Sequence, residues 1–154
     1  MGNMCGKPPT TFEQCYSIAG EIGKGGTATV YLGQSRGRGH LSPPKFTFVA
    51  VKVVDKSKFT KEEAEILLQE AVFLAELGHP NIVRLWGFFD PPRSRTAALV
   101  LENVDGGELF DRVARKSTYA EVEARELARC LLKALEHLES HRIAHRDIKV
   151  RHQS

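Results

Sequence analysis

The sequence predicts an α+β fold in which an antiparallel sheet with one helix is followed by further helices. Two observations lead to this prediction. Segments with alternating hydrophobicity and many β-branched residues recur along the first two thirds of the chain, and two longer segments have helical periodicity. A length of 154 residues with 42% hydrophobic residues is enough for a domain-sized core. This composition excludes a disordered, collagen-like or coiled-coil chain.

The strands and loops are predicted from turn residues and periodicity. Residues 1–15 form a flexible arm, because the first eleven are small, polar and proline-containing. Two β-rich segments on either side of a glycine cluster indicate a hairpin, and residues 34–45 indicate a long solvated loop. The predicted strands are 16–23, 29–33, 46–54, 81–89 and 96–103.

The first predicted helix has both a start signal and a stop signal. Thr60 and Glu63 form a capping-box pattern, so the helix begins there. It ends near residue 77, because Gly78 and Pro80 follow.

A second long helix is predicted over about residues 120–141, after a short helix that follows Gly107. Its apolar residues recur at helical spacing and form one stripe. A stripe of this kind that is left uncovered predicts a docking partner for the helix. The stripe consists of Ala128, Leu131, Leu132, Leu135 and Leu138.

Charge and cysteine content indicate a cytoplasmic protein. The chain has 22 Lys and Arg and 19 Asp and Glu, and a net charge of +3 is too small to predict nucleic-acid binding. No apolar run is long enough for a membrane span or a secretory signal. Cys5, Cys15 and Cys130 are odd in number and widely spaced, which favours a reducing compartment over a disulfide framework.

Residues 23–30 (GKGGTATV) match the phosphate-binding pattern G-x-G-x-x-G-x-V, except that Ala28 stands in place of the third glycine. Glycines let a backbone approach phosphates, but the same residues also form plain hairpins, so both interpretations stay open. A dinucleotide-binding fold is disfavoured because a strand, not a helix, follows the glycines. A Walker A loop is excluded because Lys24 is followed by Gly25 and not by Ser or Thr.

Lys52 and Glu70 form a second candidate constellation. Lys52 lies in a strand of apolar neighbours, whereas Glu70 has apolar residues at helical spacing on both sides, which predicts a half-buried carboxylate. A buried charge is costly unless it is paired, and Lys52 is a suitable partner. The alternative for Lys52 is a solvent-exposed lysine on a strand. The alternative for Glu70 is a glutamate whose carboxylate reaches solvent at the edge of the apolar stripe of its helix.

Five segments in a fixed order resemble protein kinases over about residues 16–149. The lysine at position 149 of the HRDIK segment resembles the residue found there in the serine/threonine class of protein kinases. The segments HPNIVRL and GGELFDRV are similar to the calcium/calmodulin-dependent and calcium-dependent groups. The five segments are the glycine turn 23–30, VAVK at 49–52, the helix with Glu70, the hinge-like LVLENVDGGELF at 99–110, and HRDIK at 145–149.

The resemblance implies phosphoryl transfer from ATP, with Mg²⁺, to serine or threonine of a protein substrate. The residues with which the family holds Mg²⁺ are absent from this sequence, so no metal ligands are assigned. Asp147 is implied as the base for the attacking hydroxyl, and Lys149 as the cation that neutralises the transferred phosphoryl group. Leu101 is implied as the gatekeeper next to the adenine. The implied nucleotide-binding residues are Ile22, Gly23, Lys24, Gly25, Gly26, Ala28, Val30, Ala50, Lys52, Glu70, Leu101, Glu102, Val104 and Glu108.

The resemblance also implies a domain division, and the sequence departs from the family after Lys149. The implied divisions are an arm at 1–15, a kinase small lobe at 16–104, and the start of a truncated helical large lobe at 105–154. His152 stands where the family has the asparagine that binds the second Mg²⁺, an ion that prefers oxygen ligands. We therefore expect weak or no activity, and a non-catalytic fragment that binds nucleotide or a partner is the alternative function.

The first six residues (MGNMCG) resemble an N-myristoylation site at Gly2, with Cys5 as a second acylation site. Two acyl chains would hold the protein at a membrane, whereas one binds only marginally. The usual Ser or Thr is replaced by Gly6, and a flexible leader without acylation is the alternative.

His137, His141 and His145 follow each other at intervals of four residues. This spacing also occurs in zinc sites, but the HExxH pattern is not met. Structural histidines at a helix end are the favoured interpretation.

Overall fold

A five-stranded antiparallel sheet organises the first part of the chain. The computed structural model describes residues 11–38, 42–107, 120–145 and 148. The described parts of Met1–Glu76 and Arg84–Asn103 form one compact unit, and those of Leu77–Val83 and Val104–Ser154 form a second.

The sheet has five strands: β1 Tyr16–Lys24, β2 Ala28–Ser35, β3 Phe48–Asp55, β4 Leu85–Phe89 and β5 Thr96–Glu102. Their order is β1-β2-β3-β5-β4, and all neighbouring strands are antiparallel. This confirms the predicted sheet. Strand β4 begins four residues later than expected, because the preceding segment turns through a hydrogen bond from the Ile82 N–H to the His79 carbonyl.

The helices are α1 Phe12–Cys15, α2 Lys61–Glu76 and α3 Glu121–Ser140, with a 3-10 turn at Lys56–Lys58. The capping box of α2 is confirmed. The Thr60 N–H donates to Glu63 Oε2 at 2.8 Å, and the Glu63 N–H donates to Thr60 Oγ1 at 3.2 Å. The short helix predicted after Gly107 lies outside the described residues.

The sheet is covered by apolar residues on both faces, because side chains alternate along each strand. On one face Val49 and Val51 of β3 pack with Val100, Cys15 and Tyr16. On the other face the cluster contains Ala71 of α2, so this second face is the one that α2 covers. The buried members of the second cluster are Val54, Ala71, Leu85 and Leu99.

The end of the expected flexible arm is ordered, which corrects the prediction for residues 12–15. The Phe12 ring lies edge-on to Phe89 at 5.5 Å and tilted against Tyr16 at 5.8 Å, and Cys15 is 2% exposed. One aromatic ring and one thiol are enough to anchor these residues on the sheet, although the eleven residues before Phe12 are polar and small.

The expected solvated loop at 34–45 begins inside the sheet, which is a second correction. Ser35 ends β2 and is 2% exposed, and its hydroxyl donates to the Pro43 carbonyl at 2.9 Å. The Arg36 N–H donates to the Cys15 carbonyl at 2.7 Å. One backbone hydrogen bond and one hydrogen bond from a buried hydroxyl therefore hold the ends of the loop. Composition alone does not reveal either contact.

In the second unit α3 confirms the long helix that was predicted over about residues 120–141. Leu138 is buried, whereas Leu131 and Leu132 are 48% and 64% exposed. The predicted docking partner for this stripe stays a prediction. Within the part of the chain that the structure describes, no helix is long and apolar enough to cross a membrane.

Candidate functional site

The strand register brings four of the predicted nucleotide-binding residues onto one face of the sheet. Val30 lies opposite Lys52, and Ala50 lies opposite Leu101. Directly opposite residues in an antiparallel pair project to the same side, and Lys52 and Ala50 are two positions apart on β3. Leu101 packs against the cluster that contains Ala71 of α2, so this is the face that α2 covers.

The glycine turn connects β1 and β2 at the end of this face. The Gly25 N–H donates to the Ala28 carbonyl at 2.8 Å and closes the turn. A Cβ atom at Gly26 would meet no atom within 4 Å, and at Gly23 and Gly25 the nearest atoms are at 3.9 and 3.5 Å. Among the described glycines, positive φ angles occur elsewhere, at positions 37 and 107. Neither packing nor backbone conformation requires glycine here, so the open side of the turn is free for a ligand to approach.

A pocket of about 230 Å³ lies between the turn, β3 and α2. Lys52 contributes the cation, while Glu63 and Glu70 contribute carboxylates from α2. Three of the nine lining residues, Ala28, Lys52 and Glu70, were predicted to bind nucleotide. Phe59 and Ile66 were not, and their only signal is their place in the segment between Lys52 and Glu70. The lining residues are Thr27, Ala28, Lys52, Val54, Phe59, Glu63, Ile66, Leu67 and Glu70.

Lys52 and Glu70 line the same pocket, but the ion pairs among the described residues do not include one between them. Glu70 is exposed, as are Ile66 and Phe73 on the same helix. The prediction of a half-buried Glu70 is therefore wrong. The apolar residues around Glu70 do not bury it, because the described residues cover only the side of α2 that carries Ala71.

The remaining predicted binding residues are distributed around this face. Ile22 is 55% exposed, beside an irregularity in the pairing of β1, and Lys24 is exposed at the end of that strand. The Glu102 N–H already donates to the Arg84 carbonyl at 2.8 Å, so its backbone offers a ligand only the carbonyl oxygen. Val104 is exposed and belongs to the second unit. Glu108, Asp147 and Lys149 lie outside the described residues.

A charged network closes the end of β3 next to the 3-10 turn. Hydrogen bonding from the Ser57 hydroxyl at 2.7 Å, together with the Arg95 guanidinium at 3.1 Å, lowers the pKa of Asp55 to about 2. Lys56 Nζ donates to Asp90 at 2.6 Å. The Asp55 carboxylate therefore stays ionised at neutral pH, and its hydrogen bonds join the start of the 3-10 turn to Arg95, the residue before β5.

Three histidines lie together in the second unit. The His137 ring is stacked 5.0 Å from His79 and lies 4.4 Å from His141. His141 Nδ1 donates to the His137 carbonyl at 2.8 Å, whereas His79 Nδ1 accepts from the Asn81 N–H at 3.1 Å. Burial, together with His141 and His79, lowers the pKa of His137. No group of three or more His, Cys, Asp or Glu among the described residues is arranged to hold a metal ion.

Comparisons with known proteins agree with this arrangement. Residues 16–151 match the family model of the protein kinase domain. The chain is 35% identical over 140 residues to myosin light chain kinase A of Dictyostelium discoideum, covering 91% of this chain and 44% of that protein. It is 37% identical over 134 residues to calcium/calmodulin-dependent protein kinase type IV of Mus musculus, covering 87% and 26%.

A solved structure supports the same fold. The crystal structure of Rad53 in complex with AMP-PNP superposes with a TM-score of 0.71 at 33% identity, covering 89% of this chain and 33% of that one. The chain spans less than half the length of each of these relatives. The resemblance to serine/threonine kinases of the calcium/calmodulin-dependent group is confirmed, and the chain belongs to the protein kinase family.

Proposed function

We propose that this chain binds ATP on the sheet face that α2 covers and takes part in phosphoryl transfer to serine or threonine of a protein substrate. The observation that carries the proposal is the placement of Val30, Ala50, Lys52 and Leu101 on that single face, beside the glycine turn. The relatives named above are serine/threonine kinases, and the Rad53 structure holds an ATP analogue.

Each part of this face suits one part of ATP. Val30, Ala50 and Leu101 offer an apolar surface for the adenine ring. The Lys52 ammonium attracts the phosphates, and Glu70, which lines the same pocket, is the carboxylate available to orient it. The glycines at 23, 25 and 26 let the backbone approach the phosphates without a Cβ in the way.

The proposal includes Mg²⁺ as the ion that accompanies the ATP phosphates, where it neutralises their charge. With Glu70 assigned to Lys52, Glu63 is the carboxylate in the pocket lining that would hold the ion together with phosphate oxygens, since Mg²⁺ is commonly held by one or two carboxylates with phosphates. Asp147 would take the proton of the attacking hydroxyl, and Lys149 would balance the charge of the transferred group.

ATP binding tests the first half of the proposal. Isothermal titration of the full chain with ATP is expected to show binding that Lys52→Met weakens about tenfold, because a charge-assisted contact to phosphate is lost. Lys45→Met is the matched control, since the Lys45 ammonium lies 4.8 Å from the Phe46 ring in the loop before β3. Equal affinities for the two variants would contradict the proposal.

Turnover separates the enzyme from the alternative, a non-catalytic fragment that binds nucleotide. The sequence after Lys149 departs from the family and favours that alternative. Phosphorylation of a generic protein substrate that Asp147→Asn abolishes would establish the enzyme. Binding of ATP that requires Lys52, without phosphorylation by the wild type, would establish the binding fragment.

We further propose a cytoplasmic protein that contacts membranes through acylated Gly2 and Cys5. The support is the sequence MGNMCG, because two acyl chains give stable anchoring where one does not. Incorporation of labelled myristate during synthesis, lost in Gly2→Ala, is the expected result. No incorporation in the wild type would remove the proposal.

A further inference from the structure

The side chain of Lys58 lies against the tip of the glycine turn. Lys58 ends the 3-10 turn Lys56–Lys58, and its Nζ donates a 2.7 Å hydrogen bond to the Gly26 carbonyl. The 3-10 turn is itself capped, because the Asp55 carboxylate accepts from the Ser57 N–H at 3.0 Å. We infer that Lys58 is a positioning residue for the glycine turn, and this inference rests on the ATP binding proposed above.

A second contact ties the turn to the end of β3. The Asp55 N–H donates to the Thr27 carbonyl at 3.3 Å, so two successive carbonyls of the turn are held, one by Lys58 and one by the last residue of β3. Peptide units are planar and trans, and the described residues contain no cis peptide bond. Fixing the Gly26 carbonyl toward Lys58 therefore points the Thr27 N–H in the opposite direction, away from Lys58. The contact sets the direction of one backbone donor of the turn.

Lys58 also brings a positive charge that the described residues leave unneutralised. Lys56, two residues earlier, forms an ion pair with Asp90 at 2.6 Å, whereas no described carboxylate lies within ion-pairing distance of Lys58. An ammonium at the tip of the turn raises the local potential for anions. Both effects of Lys58, the fixed N–H and the free charge, act on phosphates and not on the nucleoside.

The inference is tested by comparing ATP with adenosine, which lacks phosphates. Isothermal titration is done with the full chain as wild type, Lys58→Ala, Lys58→Arg and the control Lys56→Ala. Lys58→Ala is expected to lower the affinity for ATP about fivefold, because one exposed charge-assisted hydrogen bond is lost. The affinity for adenosine is expected to stay unchanged. Lys58→Arg keeps a cationic donor and is expected to bind ATP within about twofold of wild type. Lys56→Ala is expected to retain wild-type affinity for both ligands.

The outcomes separate this inference from the function on which it rests. If Lys58→Ala binds ATP as tightly as wild type, or loses ATP and adenosine to the same extent, the positioning role is wrong while ATP binding stands. If the wild type does not bind ATP, the proposed function fails and the role of Lys58 fails with it. Because Lys58 is exposed, thermal unfolding of the alanine variant is expected to match wild type.

Discussion

Val30 on β2 lies directly opposite Lys52 on β3, on the sheet face that α2 covers. The Cβ atoms of directly opposite residues in such a pair are about 5 Å apart, so a glutamate introduced at position 30 would be long enough to pair with the Lys52 ammonium. A charged substitution at position 30 on β2 is therefore expected to neutralise the charge of Lys52 on β3.

Val30→Glu is expected to lower ATP affinity at least about tenfold, because a carboxylate opposite Lys52 would neutralise the cation and repel phosphate. Val30→Thr is the matched control, since it keeps the shape of valine without a charge. Isothermal titration of both variants measures the difference. If Val30→Glu bound ATP as well as Val30→Thr, Lys52 would not be the phosphate-binding cation.

Gly33→Ala is expected to destabilise the first unit by about 1–3 kcal/mol, because the added methyl would overpack the sheet. A Cβ atom at Gly33 would lie 2.8 Å from Val51 Cγ2 and 3.1 Å from the Ser17 carbonyl oxygen. Gly26→Ala, where a Cβ atom meets nothing within 4 Å, is expected to change stability by less than about 0.5 kcal/mol. Urea unfolding of both variants measures the two changes in stability. Equal midpoints would show that the sheet relaxes to accommodate the methyl group at position 33.

Phe12→Ala is expected to lower the free energy of unfolding by about 2 kcal/mol, because the ring packs between Tyr16 and Phe89. Phe46→Ala is the control, since the Phe46 ring is 64% exposed and is expected to contribute less than about 0.5 kcal/mol. Thermal or urea unfolding gives both values. A neutral Phe12→Ala would mean that residues 12–15 behave as the flexible arm that the sequence predicted.

Protonation of His137 is expected to lower the free energy of unfolding as the pH drops below the ordinary histidine pKa of 6.5. The pKa of His137 is lowered in the folded state by burial and by its neighbours His141 and His79, so the unfolded chain binds the proton more readily. The stabilising effect of neutral His137 is complete above 6.5 and is lost as the pH falls toward the lowered pKa. His137→Gln cannot titrate, so unfolding followed from about pH 7.5 to 5 should show a flatter dependence for this variant. Parallel pH profiles would exclude His137 as the source.

The sheet and α2 could be predicted from the sequence because their signals are local. Alternation marks each strand, and Thr60 with Glu63 satisfies the helix start within four residues. The shared face of Val30 and Lys52 follows once these strands pair, since the register fixes which side chains lie together.

The rest depends on contacts between distant segments. Phe12 is ordered by Phe89, and Ser35 by Pro43, so no pattern within either segment reveals the packing. Glu70 was expected to be half-buried because its helix is apolar around it, but exposure depends on what covers the helix. The Lys58 contact was missed because a lysine in a polar turn has no distinctive spacing.

The strand order has a consequence for synthesis of the chain. β3 pairs with β5 and not with β4, so the β3 edge that faces β5 stays open until residues 96–102 have left the ribosome. Val49 and Val51, both fully buried in the finished sheet, lie on this strand. A nascent chain that ends after α2 therefore presents an apolar strand with unpaired backbone groups, the kind of edge that recruits other strands. Between translation of β3 and of β5, this open edge is therefore the place where pairing with strands of other chains is favoured.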